Sequence, residues 1–268
     1  MALMHVKFFS DTLGMCVEMD AIIPQAVKGQ IGMAGAGGGG PYQTLYLLHG
    51  MSDDHTIWQR RTSIERYVSD LGLAVIMPST QLGWYTDNYR GLKWWTYISE
   101  ELPRLCREFF PLSDKREDTF AAGLSMGGYG AAKLGLGCSG TFSCAATLSG
   151  GLDVGAILES PEITSDRGEF WVNVFGPPDK FKGSENDLFA LAEKCAKDGV
   201  APKIYQWCGT EDFLYKGNLE FRDHLKKLGI DLTYEEDPGD HQWKYWDEKI
   251  QRVLDWLPLK HRGSNKWL

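Results

Sequence analysis

The sequence predicts an α/β protein, with a mostly parallel central sheet and helices on both faces. Short apolar runs of strand length recur along the chain, segments of helical periodicity separate them, and Gly, Pro or Asp marks most junctions. Right-handed crossovers between parallel strands then place helices on both sides of the sheet.

Val6 to Pro24 reads as an early strand pair, with Asp11 to Gly14 as its turn. Ile31–Pro41 follows and contains Gly35, Gly37, Gly38, Gly39 and Gly40. A phosphate-cradling loop would end in Lys-Ser/Thr and open a helix. This run does neither, and it reads as a flexible connection between strands. Thr44–Leu48, Leu73–Met77, Thr119–Ala122, Cys144–Leu148 and Lys203–Cys208 have the length and bounding turns of buried parallel strands, and Leu232–Glu236 is the last strand candidate.

Helical patterns fall between them. In Thr96–Phe110, Ile98, Leu102, Leu105 and Phe109 share a face, and Pro103 kinks that helix or marks its first turn. Leu219–Leu228 groups Phe221, Leu225 and Leu228. Trp243–Leu257 carries a broad stripe of Trp246, Ile250, Val253, Leu254 and Leu257. These stripes are expected to be core packing. No internal repeat is visible, and residues 1–268 are read as a single domain. Gly150 to Leu188 fits the alternation poorly, with Pro161, Gly168, Gly176, Pro177 and Pro178 among two aromatic clusters. Residues 150–188 are read as a lid or insertion over the site, or else as surface padding.

Composition narrows the function classes. Hydrophobic residues at 43% and charged residues at 24% exclude a disordered chain. With 28 Lys+Arg against 36 Asp+Glu, the net charge of -8 argues against nucleic acid or an anionic membrane as partner. No apolar stretch approaches the roughly 18 residues of a membrane span. Met1 to Ser10 carries only Lys7 and runs into a strand, so no secretory signal is expected. The six cysteines (Cys16, Cys106, Cys138, Cys144, Cys195, Cys208) form no CxxC pair, and Cys106, Cys144 and Cys208 fall in apolar patterns. Reduced thiols and a cytoplasmic location are expected. Oligomeric state is left open, a homo-oligomer included.

Gly123-Leu124-Ser125-Met126-Gly127 matches G-x-S-x-G. With 15 serines and 31 glycines, chance supplies about 0.2 such matches in a chain of this composition, so the motif alone is weak. Its context strengthens it. Thr119-Phe120-Ala121-Ala122 is a strand candidate just before, and Gly128-Tyr129-Gly130-Ala131-Ala132-Lys133-Leu134 is plausible helix just after. A nucleophile elbow requires that order: a strained Ser on a tight turn, flanked by small residues, at a helix N-terminus that favours negative charge. The competing reading is a glycine-rich turn before an ordinary helix.

A serine hydroxyl needs a base within hydrogen-bond reach. His5 and His261 lie near the termini, His224 lies in an amphipathic helix, and His49 and His55 flank a turn. His241, in Asp237-Pro238-Gly239-Asp240-His241 after the last strand, alone satisfies the chain order Ser, acid, His. After Lys203–Cys208, Glu211 and Asp212 compete for the acid, and Asp212 is favoured as one residue further beyond the strand. Asp237 and Asp240 read as turn residues. Two N–H donors must also meet the developing oxyanion. Met126, after the nucleophile, supplies one, and Met51, after the strand ending in His49-Gly50, supplies the other. A metal cluster of His49, Asp53, Asp54 and His55 is disfavoured, because four ligands on one turn seldom surround an ion.

Further segments extend the pattern: Leu47-Leu48-His49-Gly50-Met51, Gly83-Trp84-Tyr85-Thr86-Asp87 with Asn88, Glu100-Glu101-Leu102-Pro103, Gly123 to Gly130, Gly209-Thr210-Glu211-Asp212-Phe213-Leu214, and Gly239-Asp240-His241-Gln242-Trp243. On these segments, which span most of the chain, it resembles the esterase family that includes tributyrin esterases, S-formylglutathione hydrolases and mycolyltransferases, and in particular the tributyrin-esterase-like acetyl esterases of bacteria. The resemblance implies an α/β-hydrolase fold and hydrolysis of short acyl (acetyl-like) esters without a cofactor. It supports Ser125, Asp212 and His241 as a catalytic triad, and Met51 and Met126 as oxyanion donors. The stretch from Ala34 to Gly40 is longer than the family's usual link.

The expected substrate is a small ester. Trp84 and Tyr85 are candidate pocket walls, and aromatic residues there would suit an ester carried on carbohydrate; for Trp94 and Trp95 core packing is the competing reading. Thioester hydrolysis, acyl transfer to another alcohol, and an inert hydrolase scaffold acting as a binding module are the rival functions.

Overall fold

The computed structural model describes residues 1–27, 31 and 35–261, with the backbone alone for 161–166. Part of the glycine-rich stretch, residues 32–34, lies outside the described residues.

The chain opens as a hairpin of β1 (Ala2–Ser10) and β2 (Met15–Ile23). Its turn closes on Gly14, whose N–H donates to the Ser10 carbonyl at 2.9 Å and whose φ of 66° suits a residue without Cβ. Six strands follow: β3 (Gln43–Leu48), β4 (Leu73–Pro78), β5 (Thr119–Leu124), β6 (Cys144–Leu148), β7 (Lys203–Gly209) and β8 (Leu232–Asp237). The eight strands lie in the order β1-β2-β4-β3-β5-β6-β7-β8. β2 runs antiparallel to β1 and β4, and the remaining pairs are parallel. This is the expected mostly parallel sheet; β1 begins four residues before the expected Val6, and the six strands from β3 to β8 recur with ends shifted by no more than two residues. Among those six, the largest shift is at β5. Gly123 reads as turn in sequence but pairs in register with Leu48 and Thr147, so the strand runs to Leu124.

Helices cover both faces. On one lie α1 (Ile57–Arg61), α2 (Ile64–Tyr67) and α10 (Trp243–Trp256), packed on Leu45, Leu47, Phe120, Ala122 and Leu124. On the other lie α4 (Leu102–Phe109), α5 (Met126–Gly137), α8 (Leu188–Asp198) and α9 (Tyr215–Lys227), packed on Tyr46, Leu48, Ala121 and Ala145. Alternate residues of one strand thus feed two cores, and each fully buried Leu, Val or Ile contributes about 1.5–3 kcal/mol.

The helix read from Thr96 begins at α3 (Trp94–Thr96) and passes through a π-helical turn, Tyr97–Glu101, into α4. Pro103 sits in the first turn of α4, where a missing N–H costs least; the irregularity expected from it takes the form of that preceding π-turn. α9 starts four residues before the expected Leu219, because Asp212 anchors its first turn: the Tyr215 N–H donates to the Asp212 carbonyl at 2.9 Å. Most of 150–188 is helical, as α6 (Val154–Glu159) and α7 (Pro161–Phe175). Trp171 and Phe175 of α7 pack on Trp84.

The chain direction reverses between β3 and β5. From β3 it crosses outward to β4 and then returns to β5 on the other side. Crevices outside the carboxyl ends of parallel strands at such a point are where this architecture binds ligands. Ser125 follows β5 and His49-Gly50-Met51 follows β3, side by side at that crevice.

The β5–α5 junction demands residues without side chains. A Cβ at Gly123 would overlap the Gly127 carbonyl, and one at Gly127 would overlap the Leu48 carbonyl and lie 2.6 Å from the His49 carbonyl oxygen. A Cβ at Gly140 meets nothing within 4 Å. Gly127→Ala is therefore expected to cost more than about 2 kcal/mol in thermal or urea unfolding, with Gly140→Ala near neutral.

Candidate active site

Ser125 stands between β5 and α5 with φ 52° and ψ −118°, a region that costs an L-residue on the order of 1–3 kcal/mol. The strain is held from three directions. The Ser125 N–H donates to the Leu148 carbonyl at 3.0 Å, and its carbonyl accepts from Tyr129 N–H and Gly151 N–H, both at 3.1 Å. The hydroxyl is thereby presented at the crevice, at the start of a helix.

His241, on the loop between β8 and α10, reaches this hydroxyl: Nε2 lies 3.0 Å from Ser125 Oγ. Its Nδ1 lies 2.8 Å from Asp212 Oδ2. A carboxylate only accepts, so Nδ1 carries the proton, and Nε2 presents a lone pair to the serine O–H. Asp212 follows β7 in a tight turn, with its N–H donating to the Gly209 carbonyl at 3.2 Å and its Oδ1 accepting from Leu214 N–H at 2.9 Å. Burial pushes the Asp212 carboxyl upward. The hydrogen bond and charge of His241, the Leu214 N–H and the Ser149 hydroxyl outweigh burial, and the group is held below its ordinary range. It stays an anion, as an acceptor for imidazolium must.

Glu211, the competing acid in sequence, points elsewhere. Its carboxylate accepts from Gly239 N–H and, at 2.9 Å, from the Thr210 hydroxyl, while its own N–H donates to the Gly239 carbonyl at 2.9 Å. It therefore pins the loop that carries His241. Asp237 pairs with Lys249 at 2.7 Å, and Asp240 accepts from the Gln242 side chain at 2.6 Å.

The turn after β3 faces the serine. A Cβ on Gly50 would lie 3.7 Å from Ser125 Cβ and 2.6 Å from Leu124 Cδ1, so only glycine passes there without displacing its neighbours. His49 is buried with both nitrogens engaged: Nδ1 lies 2.7 Å from the Gly50 carbonyl oxygen, and Nε2 accepts from Thr80 N–H at 3.0 Å. Burial lowers its pKa to about 4, so it is a neutral donor at Nδ1. The Gly50 carbonyl and the Met51 N–H share one trans peptide and point opposite ways, so anchoring the first aims the second. Both ring nitrogens being spent, His49 is not free to join Asp53, Asp54 and His55 around a metal. Met126 opens α5, where the first N–H groups lack intrahelical acceptors. Among the described residues, neither Met51 N–H nor Met126 N–H donates a hydrogen bond.

The Esterase family model, described as "Putative esterase", matches residues 34–257. The chain belongs to this esterase family. An acetyl esterase of Caldicellulosiruptor saccharolyticus is 32% identical over 262 residues, covering 96% of this chain and 98% of the relative. Among solved structures, a fluorophosphonate-binding serine hydrolase of Staphylococcus aureus superposes with a TM-score of 0.84 at 36% identity, covering 96% of this chain and 98% of the other. An S-formylglutathione hydrolase from the same organism gives 0.80 at 34% identity, with the same coverage. The chain is accordingly a carboxylic ester hydrolase of the α/β-hydrolase fold.

In this esterase the aromatic loop after β4 lies differently from the sequence expectation. Tyr85 is fully buried and cannot wall an open pocket; its hydroxyl donates to the His49 carbonyl at 2.9 Å and so braces the turn beside Ser125. Trp84 is nearly buried among Tyr129, Trp171 and Phe175. Trp94 is core, as its competing reading had it. Trp84 and Tyr85 both adopt left-handed backbone, at φ 51° and 50°, which turns the loop inward.

Behind that loop sits Lys133 of α5, fully buried. Its ammonium donates to Asn186 Oδ1 at 2.6 Å, Thr86 Oγ1 at 3.1 Å and the Tyr85 carbonyl at 3.4 Å, and lies 4.3 Å from the Trp95 ring centroid. One charge thus ties α5, the aromatic loop and the turn before α8 together. Sequence reasoning missed Lys133 because it read as one polar position in a helix. A cleft of about 620 Å³ lined by Arg116, Lys203, Asp231 and Lys260 lies at the opposite ends of the strands from Ser125, away from this chemistry. No described helix is long and apolar enough to cross a membrane, and all six cysteines are unpaired.

Asp212→Asn keeps the size but removes the anion, and is expected to lower kcat by about 10³–10⁴-fold with the melting temperature little changed, read by ester hydrolysis alongside calorimetry. Burial lowers the Lys133 pKa from 10.5 to about 7. Between those values the folded chain binds fewer protons than the unfolded one, so this group's contribution to stability rises with pH across the window and is smallest below it. From about pH 7 to about pH 9 the wild type should gain stability relative to Lys133→Met; parallel melting-temperature curves for the two proteins would contradict this.

Proposed function

We propose that Ser125, His241 and Asp212 form the catalytic triad of a serine esterase acting on short-chain, acetyl-like esters. The supporting observation is the continuous relay of 3.0 Å from Ser125 Oγ to His241 Nε2 and 2.8 Å from His241 Nδ1 to Asp212 Oδ2. In the first half-reaction His241 Nε2 takes the Ser125 proton as Oγ bonds to the ester carbonyl carbon. The oxyanion accepts hydrogen bonds from Met51 N–H and Met126 N–H. As the C–O bond to the alcohol breaks, imidazolium gives its proton to the leaving oxygen. Water then repeats the sequence on the acyl-enzyme, releasing the acid and restoring the Ser125 hydroxyl. The acetyl esterase relative favours a short acyl group.

Ser125→Ala should reduce turnover of p-nitrophenyl acetate by about 10⁴-fold or more while the fold persists, and should abolish labelling by a fluorophosphonate probe. Near-wild-type turnover would end the assignment, and an unlabelled wild type would indicate an inert scaffold. A second reading, thioester hydrolysis, draws on the 34% identical S-formylglutathione hydrolase. Rates on matched acetyl ester and thioester substrates decide between them: the ester reading expects the larger kcat/KM on the ester.

A further inference from the structure

The general acid fixes where the leaving alcohol must lie. Imidazolium protonates the departing oxygen, so that oxygen comes within hydrogen-bond reach of Nε2, and its carbon within a few ångströms of the ring. A side chain that borders the His241 imidazole on its solvent side is therefore placed to border the alcohol.

Two aromatic rings do so. Inside, Trp246 meets the imidazole edge-on at 4.8 Å and 82°, and its indole N–H donates to Ser149 Oγ at 3.1 Å. Its place in the core is accounted for by packing. Outside, the Phe213 ring lies 4.7 Å from the imidazole, tilted 51°. Phe213 is 77% exposed, more open than Leu82 at 44% and Tyr89 at 53% on the loop after β4. A phenyl ring left this open contributes little to folding. Nor is it a loose surface residue, for its backbone is locked on both sides: Asp212 N–H is bonded to the Gly209 carbonyl, and Leu214 N–H to Asp212 Oδ1. The chain holds an apolar ring in water, in fixed position, beside the atom that protonates the leaving group.

We propose that Phe213 is the specificity-determining residue of the alcohol site, a platform that selects esters whose alcohol places aromatic or extended apolar carbon next to the ester oxygen. This rests on the triad reading above. An aromatic alcohol would lie offset or edge-on against the ring, exchanging water on both surfaces for mutual contact. A methyl ester is too small to gain from it. The acyl group, bonded to the carbonyl carbon and turned away from the leaving oxygen, does not meet Phe213.

The two half-reactions separate this role from a merely supporting one. The alcohol is present during acylation and gone during deacylation, whereas His241 serves both. For Phe213→Ala, kcat/KM on benzyl acetate should fall about 5–10-fold, while kcat/KM on methyl acetate and the deacylation rate of the acetyl-enzyme stay within about twofold of wild type. Unchanged kcat/KM on benzyl acetate would overturn the proposal. Equal losses on both esters together with slower deacylation would also overturn it, placing Phe213 as a support for the imidazole. Ser125→Ala run on the same substrates tests the underlying triad separately: retained hydrolysis there would remove the triad reading whatever Phe213→Ala did.

Discussion

At the junction of β5 and α5, two stretches of backbone pass at contact distance with no side chain between them. Gly123 lies against the Gly127 carbonyl, and Gly127 against the carbonyls of Leu48 and His49. This approach forces Ser125 into its positive-φ conformation and lifts its hydroxyl clear of the sheet. It also brings the end of β3 close enough for the Gly50 turn to face the serine. Strain at one residue and the nearness of two strand ends are thus consequences of one packing constraint, held by the Ser125 N–H donating to the Leu148 carbonyl and by Tyr129 and Gly151 N–H donating to the Ser125 carbonyl.

Around that junction, the polar groups divide into those left free and those spent on holding them. The His241 side chain faces Ser125 with Asp212 behind it, and among the described residues the Met51 and Met126 N–H groups donate no hydrogen bond. Behind them, Glu211 clasps the loop of His241, Tyr85 and His49 brace the turn after β3, and Lys133 ties the aromatic loop to α5. Apart from the exposed Glu211, these supporting groups are buried, where a hydrogen bond is stronger and a missing partner dearer. The site is kept in register by groups that never touch substrate.

The aromatic residues show how far residue type alone misleads. Trp84, Tyr85 and Trp94 look in sequence like the wall of a binding pocket, yet the first two are turned inward by their left-handed backbone, Trp84 against α7 and Tyr85 against His49. The ring that does face solvent beside His241 is Phe213, which in sequence is only the neighbour of an acid. Exposure is decided by backbone direction and by what else covers a loop, and neither is local information.

Most strand runs, the sheet class and the strand–serine–helix junction were legible in the sequence, which also singled out His241 after the last strand. Each is written in local pattern: apolar runs of strand length, two glycines flanking a serine, and a histidine after the last strand. Between the adjacent carboxylates Glu211 and Asp212 it favoured Asp212 on position alone, as one residue further beyond the strand. Only the tertiary structure decided which of them meets the imidazole, that Lys133 is a buried clasp, and that 150–188 folds as helices over Trp84. Those outcomes depend on contacts between residues tens of positions apart, whose distances are set by packing the whole sheet between its two helical layers.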